Sequence, residues 1–449
     1  MLPRSILVAV LLVISIAFAS PRNESTATGT PGLLYTVAKA YDPLAWLYGS
    51  DRFSPDATIF LAQGNITGPL VRNFAATADP AVSFDGQKVL FAGKSRAQDP
   101  WQIWELALGA DLPRRVTQTK EDCIRPFYLP GDRIVYAHNV AGRLVVETSD
   151  LAGGNVLPLT YISSNAFPTD VLHDGRILFE SGFPLGTDAT PEIYTVYSDG
   201  SGIESYRCDH GAARHGSRQV SSGDIVFATA HGLQRFTSAR AQQVSISAPA
   251  GEYAGDVVEA AAGDWIVAWR PSTSSQFQLV RWTAGSGELT PLLAQPAENV
   301  IQPTLIAQHA VPNRHPSGLH DWPNANLLCL NAYTSKYSFA SASIHSVRFY
   351  ARSSNGSTKL LGTAPVEQDG SFFVQVPNDQ PLQLELLDAN GKTLKRESGF
   401  FWMRRGEQRV CVGCHAGPET APENAVPVVL LKSTTPADMT GSAQSAGGH

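Results

Sequence analysis

Cysteine is scarce in this sequence: 449 residues carry five, an odd number and too few for a disulfide-built scaffold. Charge is thin as well. Asp, Glu, Lys and Arg make up 16% of the chain, against about a quarter in an ordinary soluble protein. With 34 basic and 40 acidic residues the net charge is −6, so no global cationic field suits the chain to nucleic acid. At 43% hydrophobic residues it is nonetheless rich enough to bury a core and is not a disordered polymer. Apolar runs long enough to cross a bilayer are missing, so no membrane span is expected in the mature chain. There is no nucleophile elbow, no Gly-rich phosphate loop and no His-Glu-x-x-His zinc helix, which removes the usual signatures of hydrolases, nucleotide enzymes and zinc peptidases.

What the chain has in quantity is turn formers, 38 Gly and 30 Pro. At its start Arg4 precedes an apolar run from Ile6 to Phe18, relieved only by Ser15 and ending in Ala17-Phe18-Ala19. About 13 apolar residues fall short of the ~20 of a spanning helix, and small residues two apart suit signal peptidase. Residues 1–19 therefore read as a cleaved signal peptide, with a flexible lead-in over 20–32. The mature protein is expected to be periplasmic or secreted, in an oxidising compartment.

From there to about residue 310 the sequence repeats a Gly-centred turn followed by an apolar β-type run. The copies are Ser83-Phe-Asp-Gly-Gln-Lys-Val-Leu-Phe-Ala92, Leu129-Pro-Gly-Asp-Arg-Ile-Val-Tyr-Ala137, Leu172-His-Asp-Gly-Arg-Ile-Leu-Phe-Glu180, Ser221-Ser-Gly-Asp-Ile-Val-Phe-Ala228 and Ala261-Ala-Gly-Asp-Trp-Ile-Val-Ala268. The turn glycines Gly86, Gly131, Gly175, Gly223 and Gly263 are 45, 44, 48 and 40 residues apart. A period in the forties built from short strands is the mark of a β-propeller blade. Trp101-Gln-Ile-Trp-Glu-Leu106 and Glu192-Ile-Tyr-Thr-Val-Tyr197 alternate as half-buried strands do. Pro80 to Gly86 and Ile193 to Gly200 resemble the blade motifs of TolB-like propellers. The segments from Ala57 to Gln63 and from Val300 to Ala307 could close a sixth blade from both ends. The expected fold class is all-β: a TolB/WD40-like propeller over 33–310, read as six blades with five or seven open, then a small β-sandwich over 311–401.

The sandwich rests on strand-like runs at Leu327 to Leu330, Ile344 to Ala351, Thr358 to Val366, Ser371 to Val376, Leu382 to Asp388 and Thr393 to Phe400. Asn355-Gly, Asp369-Gly and Asn390-Gly separate several of them. Residues 402–432 form a short haem-attachment segment, and 433–449, without aromatics, read as a disordered tail.

Cys411-Val-Gly-Cys414-His415 carries the chemistry. In an exported protein it reads as c-type haem attachment: two thiols add to the vinyl groups of one haem edge and the adjacent histidine binds iron. A redox dithiol or a zinc site are the alternatives, but no βαβ setting precedes the motif and no second ligand pair follows it. One covalent haem c is expected, with thioethers at Cys411 and Cys414 and His415 as proximal iron ligand. Only 34 residues follow His415, so the sandwich or the propeller must help cover the group. Phe400, Phe401 and Trp402 could line its apolar face or finish a core strand. Pro418, Pro422 and Pro427 argue for an extended chain beyond it. For the sixth position, His315 is the candidate carried forward, with His320, Met403, Met439 and a vacant or water-bound site also open. Cys208-Asp-His210 with His215 reads as an exposed loop rather than a metal site. Cys123 and Cys208 could pair, and Cys329 among its leucines reads as a buried thiol.

Three stretches resemble proteins related to the hydrazine synthase alpha subunit: Val366 to Pro377, Leu384 to Asp388, and Arg405-Gly-Glu-Gln-Arg-Val-Cys-Val-Gly-Cys-His415. Arg314 to Ser317 and Leu327 to Tyr333 fit the same pattern. The resemblance implies a propeller followed by a Gly-Glu-x-Arg-x-Cys-x-Gly-Cys-His haem site, with bonds at Cys411, Cys414 and His415. That subunit has a second haem site and this chain has one such motif, so hydrazine synthesis by the chain alone is not implied. The expected function is a periplasmic monohaem cytochrome-like protein in electron transfer, its propeller a platform for redox partner proteins. A haem enzyme or enzyme subunit with an open iron site, and a binding propeller with a structural haem, are the alternatives.

Overall fold

The computed structural model describes residues 31–162, 164–185, 188–207, 213–239, 241–293, 297–353, 356–397, 399–413 and 424–441. The expected signal peptide, Cys208, His210, Cys414 and His415 lie outside them. From Gly32 to Ile306 the described chain is a succession of six antiparallel sheets, five of four strands and one of five. In five of the six sheets one hairpin turns at a repeat glycine, and Gly86, Gly131, Gly175, Gly223 and Gly263 all have positive φ, the conformation in which a residue without Cβ is unstrained. The ring closes as the flanking segments suggested. Asn299–Ile306 pairs with Gly32–Ala38, which continues into Thr58–Gln63 and Ile66–Pro69, so one sheet joins both ends of the propeller.

The strand Gln102–Ala107 departs from the expected half-buried alternation. Ile103 is buried, but so are the polar Gln102 and Glu105. Blades stack face to face, so both faces of a strand meet a neighbour, and the buried polar groups are satisfied internally. Gln102 Nε2 donates to Trp101 O at 2.7 Å, and Glu105 accepts from Tyr128 Oη at 3.1 Å.

The innermost strands carry bulges that aim charged side chains inward. Asp79 accepts two 2.6 Å bonds from Arg52 and one from Gln302. Arg125 makes a two-pronged pair with Asp256, which also accepts from Arg218 Nε at 3.2 Å. Burial would raise the carboxyl of Asp256, but Arg125 and Arg218 hold it at about 2.

Beyond residue 311 two four-stranded sheets face each other over a core of Phe349, Val374, Leu382 and Met403. In one, Ser346–Arg352 lies between Thr358–Pro365 and Leu382–Leu387, with Thr393–Arg396 outermost. In the other, Ala325–Cys329 pairs antiparallel with Phe372–Val376. The sandwich does not stop at residue 401. Gln408–Cys411 joins parallel to Ala325–Cys329, and Ala437–Asp438 joins parallel to Phe372–Val376. Both cover what would otherwise be open sheet edges. The start of the expected disordered tail is thus docked, and Met439 is buried in the sandwich core. The extended run expected after His415 is also interrupted, by a single-turn helix at Val428–Lys432. Pro427 lies just before it, where its missing N–H is not needed. No helix among the described residues is long and apolar enough to cross a membrane.

Candidate functional site

The strand Gln408–Cys411 delivers Cys411 to the junction of propeller and sandwich, and its neighbours explain how. Gly406 starts it at φ 73°; a Cβ there would sit 1.7 Å from His320 O, so only glycine fits. Glu407 is buried and holds three partners. Its Oε2 accepts Arg404 N at 2.8 Å, while Oε1 accepts Gly202 N at 3.1 Å and Arg409 Nη2 at 2.7 Å. Gly202 belongs to the propeller turn after Val196, so this one carboxylate ties the motif to a blade. After Cys411, Gly413 lies so close to the Asn331–Thr334 turn that a Cβ would come within 2.1 Å of Thr334 O. The Gly-Glu-x-Arg-x-Cys-x-Gly run is therefore a clamp that fixes where Cys411 sits.

Cys411 lines a cleft of about 610 Å³. The propeller contributes Tyr197 and Ile203, the sandwich Cys329, Phe372 and Phe401, and Arg409 lies on the motif side. That volume falls within the roughly 300–1,000 Å³ of cofactor and small-ligand pockets, which are mostly apolar with a few placed polar groups. Burial pushes the Cys411 thiol up; Arg409 opposes this and Glu407 adds to it. The described lining is compatible with a haem: a mostly apolar slot with Glu204, Glu397 and Arg409 also on it, and the Cys411 thiol on its wall.

The aromatic triplet before the motif divides three ways. Phe401 lines the cleft, Phe400 lies under the Arg352 guanidinium at 5.1 Å, and Trp402 enters the propeller core, its Nε1 donating to Leu159 O at 3.1 Å. Arg404 follows Trp402 across the junction, pairing with Asp379 at 2.6 Å and with Tyr161 Oη.

None of the candidates for the sixth position lines the cleft. His315 is exposed and stacks on Tyr197 with ring centroids 3.9 Å apart, outside the lining residues. His320 is exposed and stacks on Trp322. Met403 and Met439 are buried in the sandwich core. Among the described residues no three His, Cys, Asp or Glu side chains are grouped to hold a metal ion. His215, expected in an exposed loop, is instead in the inner strand His215–Gln219 with its Nε2 buried. Cys123 is a buried free thiol 3.3 Å from Thr119 Oγ1, and burial pushes it up to about 11. Sequence reading missed that Cys329 adjoins Cys411, and that Tyr197 forms the opposite wall. No local pattern signals either, because both come from pairing across distant segments.

The family model of the hydrazine synthase alpha subunit middle domain matches residues 333–416, from the sandwich through the motif. No curated protein matches the sequence significantly. Among solved structures, hydrazine synthase of Kuenenia stuttgartiensis superposes with a TM-score of 0.76 at 17% identity, over 90% of this chain and 72% of that one. TolB from Acinetobacter baumannii aligns with a TM-score of 0.44 at 15% identity, over 63% of this chain and 67% of that one. In sequence over 333–416 and in fold over most of its length, the chain resembles proteins of the hydrazine synthase alpha subunit type.

Proposed function

We propose that this chain is an exported monohaem c-type cytochrome-like protein that passes single electrons to or from a partner protein docked on its propeller. Cys411 and Cys414 hold the haem by thioethers, and His415 is the proximal iron ligand. The observation that carries this reading is the position of Cys411 on the wall of an apolar cleft of cofactor size. When bound, the haem supplies a one-electron couple at its iron. The chain's own residues do the rest: Glu407 and Gly413 set the motif against propeller and sandwich, and Phe401, Phe372 and Ile203 keep water from the haem faces. Residues 1–19 serve as the signal peptide that brings the chain to a haem-attaching compartment.

The test is expression of the full chain in a haem-maturing periplasm. The expected result is a mass increase of one haem, an α band in the reduced spectrum, and a new N-terminus after Ala19. Substituting both cysteines, Cys411→Ala with Cys414→Ala, abolishes the covalent haem. A chain that matures with no added mass overturns the reading.

One observation favours the second reading, an open iron site acting on a small substrate. Among the described residues lining the cleft there is no histidine and no methionine, the usual sixth ligands of an electron carrier. That reading expects a shift of the reduced spectrum on adding CO. An unchanged spectrum refutes it and leaves the electron carrier.

A further inference from the structure

The innermost strands of the six propeller sheets converge on a second cavity, of about 490 Å³, again within the roughly 300–1,000 Å³ of small-ligand pockets. Each sheet supplies part of its wall: Ala81, Phe127, Asp170, Arg218, Val258 and Thr304 line it in turn. The chain that leaves the last blade crosses the rim and completes the enclosure. His309 N donates to Phe84 O at 3.0 Å, and Asn313 N to His173 O at 2.9 Å. Glycine permits that path, because a Cβ on Gly175 would sit 1.9 Å from Asn313 O. The cavity shares no lining residue with the cleft at Cys411.

Arg218 joins this cavity to the buried axial network. There Arg52, Arg125 and Arg218 share two carboxylates, Asp79 and Asp256. Arg52 takes up Asp79 and Arg125 grips Asp256 with two prongs, so Arg218 keeps a single bond, from Nε to Asp256 Oδ1 at 3.2 Å. Its Nη atoms donate no hydrogen bond to any described residue, and Nη1 stands 3.6 Å from Asp170 Oδ1, too far for one. The guanidinium lies over the Phe127 ring at 4.8 Å, which holds its fork in place. The acids around it are occupied. Asp170 accepts from Val171 N at 2.9 Å and Gln219 N at 2.8 Å. Glu259 accepts from Ser221 N, Gly263 N and Trp265 Nε1, turned toward its own hairpin. Burial pushes the Glu180 carboxyl up to about 7, so below that pH it adds little negative charge. His173 and His309 are exposed on the rim.

We propose that this mouth of the propeller binds a small organic carboxylate with an apolar body, the carboxylate held by the Nη atoms of Arg218 and the body by Phe127, Val220 and Val257. A carboxylate matches a guanidinium fork in two parallel bonds, and it brings the negative charge that three arginines on two buried carboxylates lack. The site is built by the propeller and the chain crossing its rim, so it is independent of the haem reading.

The test is isothermal titration of the full chain with 4-phenylbutyrate and with its neutral counterpart, 4-phenylbutanamide. The expected result is saturable one-to-one binding of the carboxylate, with the amide weaker by about tenfold or more, as for loss of a charge-assisted pair. Arg218→Gln is expected to weaken 4-phenylbutyrate by about tenfold or more, while Asp256 keeps its two-pronged pair with Arg125. Asp170→Asn keeps an acceptor oxygen for the backbone and removes the competing charge, so it is expected to tighten binding several-fold. A merely loosened mouth would not change affinity in opposite directions at the two positions. Absence of 4-phenylbutyrate binding to the natural chain, or equal binding of the amide, overturns the proposal. Unchanged affinity in Arg218→Gln does so as well, by placing the ligand elsewhere, for example in the Cys411 cleft. Should Arg218→Gln fail to fold, Asp170→Asn decides, and unchanged or weakened binding there overturns the site.

Discussion

Trp402 joins the segment that carries Cys411 to the propeller, and its removal tests whether that joint holds the cleft together. The side chain is 1% exposed and belongs to the propeller core. Its indole donates to Leu159 O at 3.1 Å and meets Tyr161 edge-on at 6.4 Å between centroids. Truncation of a buried tryptophan to alanine costs about 3–5 kcal/mol. Trp402→Phe keeps most of the apolar contact but leaves Leu159 O without its indole donor, a cost of about 1–3 kcal/mol. The expected order of stability is therefore natural chain, then Trp402→Phe, then Trp402→Ala. Urea unfolding followed by both far-UV circular dichroism and tryptophan fluorescence measures it. In Trp402→Ala the two probes are also expected to separate, because a sandwich freed from the propeller unfolds in its own transition. A Trp402→Ala midpoint equal to that of the natural chain, with coincident probes, would refute the claim that this contact couples the two domains.

Three further outcomes follow from the same structure. Burial pushes the Glu180 carboxyl up to about 7, partly offset by bonds from Ser217 N and Oγ. The folded chain then holds more protons than the unfolded one between the ordinary 4.5 and about 7, so this group's contribution to stability falls as pH rises through that window, by about 3 kcal/mol. Glu180→Gln removes the slope, and urea unfolding of both proteins at pH 4.5 and 7.5 detects it; an equal difference at the two pH values rules it out. Asp256→Asn leaves Arg125 with a weakened partner in the buried axial network and is expected to cost about 3–5 kcal/mol, read as a lowered thermal midpoint. Gly413→Ala drives a Cβ to 2.1 Å from Thr334 O, so the motif must shift; the yield of covalent haem is expected to drop several-fold while the far-UV spectrum is unchanged, and an undiminished yield contradicts the clamp.

Much of the architecture was legible before any coordinates. The spacing of Gly86, Gly131, Gly175, Gly223 and Gly263 marked the blade hairpins, because a turn that needs positive φ selects glycine wherever it recurs. The strands expected from Thr358 to Val366 and from Ser371 to Val376 were found within a residue of those limits. The motif at Cys411 was equally plain. Each of these signals is local, set by a turn, an alternation or a spacing of a few residues.

What stayed hidden depends on which segments meet. Gln408–Cys411 and Ala437–Asp438 lack strand patterning of their own and become strands by covering the edges of a sheet already formed. Gln102 and Glu105 look solvent-facing in the sequence, but face-to-face blades bury both sides of their strand. His315, prominent next to a proline in a linker, ends up stacked on Tyr197 and is not among the residues lining the cleft. The five cysteines divide in a way that counting alone did not reach. The sequence by itself placed Cys411 in a Cys-x-x-Cys-His run within a repeating all-β chain. Only the tertiary structure set Cys329 beside it, because register between strands 82 positions apart is decided by the packing of the whole sandwich and leaves no trace in either strand alone.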